Sequence, residues 1–150
     1  MQPRIPLTTF DPDVLQALQA LGTFVHDAGG SLPLELVWMR ASQINGCSVC
    51  VDMHGRALKK AGETDERIFA IAAWREAAYF TDAESAALAL SEAVTRLSDR
   101  ADPVPDDAWD EAARHFDERE LATLVLAIAT INLLQPPQCR HAPSGRGRWG

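Results

Sequence analysis

The chain predicts an all-α fold: one helical domain of six or seven helices over residues 1–134, followed by a tail at 135–150. Two observations carry this expectation. Apolar residues recur at three- and four-residue spacing from Val14 to Ile131, and no segment alternates apolar and polar side chains with the period of two that a half-buried strand requires. Cap and turn residues then cut the chain into segments of helical length.

Asp11 before Pro12 suits an N-cap followed by proline in the first turn, and Val14, Leu15, Leu18, Leu21 and Val25 form the apolar stripe of a first helix ending near Gly29-Gly30. Pro33 opens a second helix, with Glu35, Leu36, Val37, Met39, Arg40 and Ile44, which breaks at Asn45-Gly46. A third runs from Cys47 to Ala61 and stops at Gly62. Lys59 and Lys60 in its last turn offset the helix dipole. Thr64 caps a fourth helix through Ile68, Ala72 and Trp74, while Thr81 and Glu84 make a capping box for a fifth, from Ala83 to about Leu97. Asp102 to Pro105 reads as a loop. A short sixth helix covers Ala108 to His115, and Asp117 caps a seventh carrying Leu121, Leu124, Val125, Ile128 and Ile131. That helix is apolar around most of its circumference. Leu121 to Leu134 is too short to span a bilayer, so it is expected at the centre of the fold or at a contact between subunits.

A formal charge of −7 argues against nucleic acid and anionic membranes as partners, because neutralising phosphates needs a surplus of Lys and Arg. Met1 to Thr9 holds no continuous apolar stretch of the kind a signal peptide or membrane span needs, so a cytoplasmic location is expected. Three cysteines are too few for a disulfide framework. In a reducing compartment a close pair points to redox chemistry or metal binding.

That pair lies in Cys47-Ser48-Val49-Cys50-Val51-Asp52-Met53-His54. Spacings of three and four residues put Cys47, Cys50 and His54 on one helix face, where two thiols can pass between dithiol and disulfide and the imidazole can take up a proton. The Asn45-Gly46 break sets Cys47 near a helix N-terminus, which favours a thiolate there, whereas His54 one turn on favours Cys50. These spacings leave the attacking sulfur open. Zinc is a competing reading, with Cys47, Cys50, His54 and Glu35 as ligands, but a single CxxC on one helix departs from the usual paired geometry. Glu35 taken alone reads as a solvated surface carboxylate.

Glu35, Arg40-Ala41-Ser42-Gln43-Ile44-Asn45-Gly46-Cys47, Cys50 and Asp52-Met53-His54 together resemble the alkylhydroperoxidase D (AhpD) core of the carboxymuconolactone decarboxylase superfamily. The similarity extends through Ala61-Gly62-Glu63-Thr64, Ala72-Ala73-Trp74-Arg75-Glu76 and the helix from Leu124 to Asn132. The resemblance implies a thiol-dependent peroxidase or disulfide reductase in which Cys50 attacks peroxide, Cys47 resolves the sulfenic acid, and Glu35 and His54 relay the proton. It further implies no bound cofactor, an external dithiol donor (a lipoyl adaptor or a thioredoxin-like protein), and a homo-oligomer, trimeric or larger. Peroxidase members often carry a histidine just before the second cysteine. Val49 stands there, a departure that points to weaker peroxide turnover. Two alternatives keep their place: a redox sensor using the same disulfide without turnover, and a lyase of the decarboxylase type, whose members lack the cysteine pair.

The remaining candidates read as structural. His26, His115 and His141 lack a comparable context, Trp38, Trp74 and Trp109 suit packing, and Asp52 points away from the thiols. Beyond Asn132 the resemblance stops, Pro136-Pro137 is expected to end the helix, and the Pro-, Gly- and Arg-rich tail with Cys139 suits disorder. A shifted reading frame accounts for the break. Gln135 to Ala142 can be encoded by CAA CCG CCT CAG TGT CGG CAC GCG, which in the neighbouring frame spells Asn-Arg-Leu-Ser-Val-Gly-Thr-Arg, an ending that suits the family. Sequencing the gene tests this hypothesis, and an unshifted reading removes it.

Overall fold

A computed structural model describes residues 9–99 and 101–138, with the backbone alone described for 136–138. Among these residues there are seven α-helices and no strand: α1 (Pro12–Ala28), α2 (Leu34–Ile44), α3 (Ser48–Lys60), α4 (Asp65–Ala70), α5 (Asp82–Thr95), α6 (Asp106–His115) and α7 (Glu118–Gln138). Two 3₁₀ segments, Ile71–Glu76 and Leu97–Asp99, follow α4 and α5. The fold is all-α, as the periodicity predicts.

The expected caps start the helices. Asp11 Oδ1 accepts from the Asp13 N–H at 2.9 Å, and Thr64 Oγ1 accepts from the Arg67 N–H at 3.3 Å. At α5 the Thr81 hydroxyl accepts from the Glu84 N–H while the Glu84 carboxylate accepts from the Thr81 N–H. Asp117 and Glu120 repeat that exchange at α7. Each arrangement satisfies N–H groups that the helix itself leaves unpaired.

Two expectations need correction. The fourth helix does not continue through Trp74; it becomes 3₁₀ after Ala70, with a non-helical kink at Ala73 (φ −121°, ψ 33°). Beyond the kink the Trp74 indole reaches the buried Glu92, a partner 18 residues away that local spacing does not reveal. The seventh helix does not stop before Gln135 but runs to Gln138. Pro136 and Pro137 each forgo one backbone bond in its last turn, while Gln135 is anchored in the interior by Ser42 and Asn45. Helix α2 is the most enclosed, and on α7 Leu126 and Leu133 are exposed opposite a buried stripe of Leu121, Leu124, Ile128 and Ile131. The rest of the tail, with Cys139 and His141, lies outside the described residues.

Helix α2 divides the core. On one side Val37, Trp38 and Ala41 pack with Val25 of α1, Leu90 of α5, and Leu124 and Ile128 of α7. On the other, Leu36 and Met39 pack with Leu58 of α3, Ile68, Ile71, Trp74 and Leu88. Both faces of α2 are thereby held, which fixes the end that leads into Cys47. Among the described residues no helix is long and apolar enough to cross a membrane.

Candidate active site

The turn between α2 and α3 presents the cysteines. Gly46 has φ +66°, a left-handed conformation that a side chain would strain, and the next residue's N–H bonds to Ser42 O at 3.0 Å. Cys47 is thereby set at the N-cap of α3 in an extended conformation. From there the buried face of α3 reads Cys50, His54, Leu58, one residue every four, as the spacing predicts. Cys47 and Cys50 are 0% and 1% exposed, no disulfide joins them, and their Sγ atoms form a thiol–thiol contact at 2.9 Å.

Glu35 occupies the first turn of α2, where a carboxylate suits the helix dipole, and its Oε2 lies 2.8 Å from His54 Nδ1. An ionised carboxylate only accepts, so Nδ1 carries the proton in the neutral ring and Nε2 presents a lone pair. That Nε2 is buried and has no hydrogen-bond partner. A buried polar atom without a partner is uncommon in a folded interior. The His54 side chain is 7% exposed and that of Glu35 is 31% exposed, so the carboxylate is the outward end of the pair. It lines a cleft of about 450 Å³ with Trp38, Leu34, Leu58, Phe116 and His26, and neither the buried thiols nor His54 lines it.

The carboxymuconolactone decarboxylase family model matches residues 12–93, more than half of the chain and the whole of this site. The chain belongs to that family. Within it, the chain is similar to two uncharacterised bacterial proteins. It is 42% identical to YdfG of Bacillus subtilis over 98 residues, 65% of each chain, and 32% identical to YnjA of Escherichia coli over 99 residues, 65% of this chain and 52% of that one. It therefore spans less than two thirds of either relative. The fold is similar to the crystal structure of ATU0492 from Agrobacterium tumefaciens, with a TM-score of 0.83, 30% identity, and coverage of 94% of this chain and 99% of that one. ATU0492 is a protein of unknown function for which an AhpD-type role in antioxidant defence has been suggested. The fold is thus AhpD-like.

In this carboxymuconolactone decarboxylase family member the four expected site residues form two contacts, Cys47 with Cys50 and Glu35 with His54, both fixed by α2 and α3. No group of three or more His, Cys, Asp or Glu side chains among the described residues is arranged to hold a metal ion. Asp52 is exposed and paired with Arg56 at 3.0 Å, away from the thiols as expected. Two features escaped the sequence reading. Trp38, read as packing, also has its ring 5.6 Å from that of His54, and His26 stacks on Trp38 at 6.4 Å. The spacing of Glu35 and Trp38, three apart on α2, was the available signal. The second feature is a polar network in which Gln135 Nε2 donates to Ser42 Oγ at 2.6 Å and Asn45 Nδ2 donates to Gln135 Oε1 at 2.5 Å and Asn132 Oδ1 at 2.7 Å. It ties α7 to the turn that carries Cys47.

Proposed function

We propose that this chain is a thiol-dependent oxidoreductase of the AhpD type that reduces a hydroperoxide or a small disulfide through Cys47 and Cys50. One observation carries the reading: a buried imidazole, oriented by a carboxylate and open at Nε2, one helical turn from Cys50, whose thiol is in contact with that of Cys47. With the two sulfurs 2.9 Å apart either thiol can steady a thiolate on the other, and His54 one turn on from Cys50 supports Cys50 as the attacking sulfur.

In the proposed cycle His54 takes the Cys50 proton, and the thiolate attacks the terminal oxygen of ROOH. The O–O bond breaks, the alkoxide takes the proton from His54 and leaves as ROH, and Cys50 becomes a sulfenic acid. Cys47 then attacks the Cys50 sulfur; an S–S bond forms, the S–O bond breaks, and water leaves. An external dithiol reduces the disulfide by exchange and is itself oxidised, closing a two-electron cycle. Glu35 keeps the imidazole in the required tautomer throughout. A lipoyl group or a thioredoxin-like protein fits the donor role chemically, and the exposed Leu126, Leu133 and Phe69 are surfaces that a homo-oligomer would cover.

Burial of both sulfurs favours a second reading, a sensor that forms the disulfide without turning over. The two are separated by counting thiols after one equivalent of hydrogen peroxide, then measuring steady-state peroxide loss with dihydrolipoamide. The enzyme reading expects loss of two thiols and sustained turnover, no turnover in Cys50→Ser, and a trapped sulfenic acid or mixed disulfide in Cys47→Ser. Disulfide formation without turnover on any peroxide or disulfide leaves the sensor, and unchanged rates in both variants sink the mechanism.

A further inference from the structure

The imidazole of His54 has one hydrogen bond, at Nδ1, and a ring hinged on one bond can still tilt. What stops it is Trp38. The two ring centroids are 5.6 Å apart with planes inclined by 38°, within the range at which a cation is drawn to an aromatic face. The indole is itself immobilised. Its Nε1–H donates to Ala127 O of α7 at 3.1 Å, its backbone oxygen accepts from Ser42 Oγ at 2.6 Å, and His26 of α1 stacks against the ring at 6.4 Å and 21°. Trp38 is 9% exposed and belongs to the larger core cluster. Glu35 and Trp38 therefore confine His54 together, one through a bond and the other through a face, from the same helix.

We propose that Trp38 is a positioning residue for His54, holding the imidazole plane and favouring the imidazolium that forms when a cysteine gives up its proton. This role rests on the thiol oxidoreductase reading, in which His54 is the base. The charged and titratable groups next to the ring or across its neighbour are Glu35 from α2, Cys50 one turn back on α3, and His26 across the indole from α1.

The test is an NMR titration of the His54 ring in the full chain, its resonance identified by its loss in His54→Gln. In Trp38→Leu the midpoint is expected to fall by at least about 0.4 pH, the displacement that a weak cation–aromatic attraction produces, and Trp38→Phe should recover at least half. Val125→Ala, a cavity at the edge of the same core in a separate pocket beside Val94 and Val104, should leave it unchanged. If Trp38→Leu does not fold, fluorinated tryptophan, which drains the ring face without changing its shape, should lower the midpoint in the wild-type sequence. A midpoint unmoved by the Trp38 changes, or moved as far by Val125→Ala, overturns the proposal.

Single-turnover oxidation of the thiols by hydrogen peroxide supplies a second readout. Trp38→Leu should be roughly 10-fold slow at pH 7 and rejoin the wild type above about pH 9.5, where thiolates form without a base. A loss equal at every pH is a structural effect and also overturns it. Wild-type thiols inert to peroxide and disulfides, with the titration moved as expected, would defeat the oxidoreductase reading and leave the Trp38–His54 coupling standing.

Discussion

Helix α2 carries two buried polar sites, and they are finished to different degrees. At one, the Glu92 carboxylate accepts from Arg40 Nε at 2.8 Å, Trp74 Nε1 at 3.0 Å and Arg75 at 2.6 Å, with its side chain 4% exposed. Every strong donor around it has an acceptor. At the other, His54 is bonded at Nδ1 and open at Nε2. A completed cluster gains nothing from a proton or a substrate and holds helices together, whereas an incomplete one carries a standing cost that chemistry can relieve. Rigidity at Glu92 of α5, held by Arg40, and the reactivity proposed for His54 of α3, held by Glu35, are thus two uses of buried polarity against one helix, α2.

The contrast breaks most sharply at His54. His54→Gln should slow thiol oxidation by about two to four decades at pH 7, the usual worth of a general base, while leaving urea stability near the wild type. A variant that unfolds instead would make His54 structural. Glu92→Ala should do the reverse: about 3–5 kcal/mol of stability lost in urea titration, because Arg40 is stranded in the interior, with the oxidation rate of the folded fraction little changed. Glu35→Gln keeps the shape of the acid and loses its charge, so oxidation should fall about 10- to 100-fold, read by stopped-flow thiol loss. The smallest effect is on acid stability. Burial pushes the Glu92 carboxyl upward, yet bonds from Trp74, Arg75 and Arg40 and the Arg40 charge hold it below the ordinary carboxylate range. A depressed folded value stabilises above the unfolded one, about 4.3, and the contribution fades as pH falls through the folded value. Tm should therefore drop more steeply below about pH 4 in the wild type than in Glu92→Gln.

The candidate active site was more legible in the sequence than the cluster at Glu92. Cys47, Cys50 and His54 lie within one helix at spacings of three and four, and Glu35 keeps register with them one helix earlier, so local periodicity brings them together. Glu92 gives no such sign. It reads as a charged position on an amphipathic helix, and its partners stand 52, 18 and 17 residues away. The kink at Ala73 escaped for the same reason, since the Trp74 contact with Glu92 lies beyond it. The run of α7 past Leu134 was hidden by prolines whose local penalty is outweighed by the buried Gln135 contacts with α2 and the turn after it. Helix caps, by contrast, are short-range, and Asp11, Thr64 and Thr81 act as their neighbours predict.

The 2.9 Å separation of the two sulfurs also bears on how long such a catalyst survives. A sulfenic acid on Cys50 faces two fates: capture by Cys47, or attack on a second peroxide that carries it to the sulfinic acid and ends its working life. Capture is intramolecular between groups already in contact, and such reactions run as though the partner were present at about 10⁵ M or more. Peroxide arriving from solvent at even millimolar concentration loses that race by many decades. In the proposed cycle, burying the pair together guards the catalyst against its own substrate.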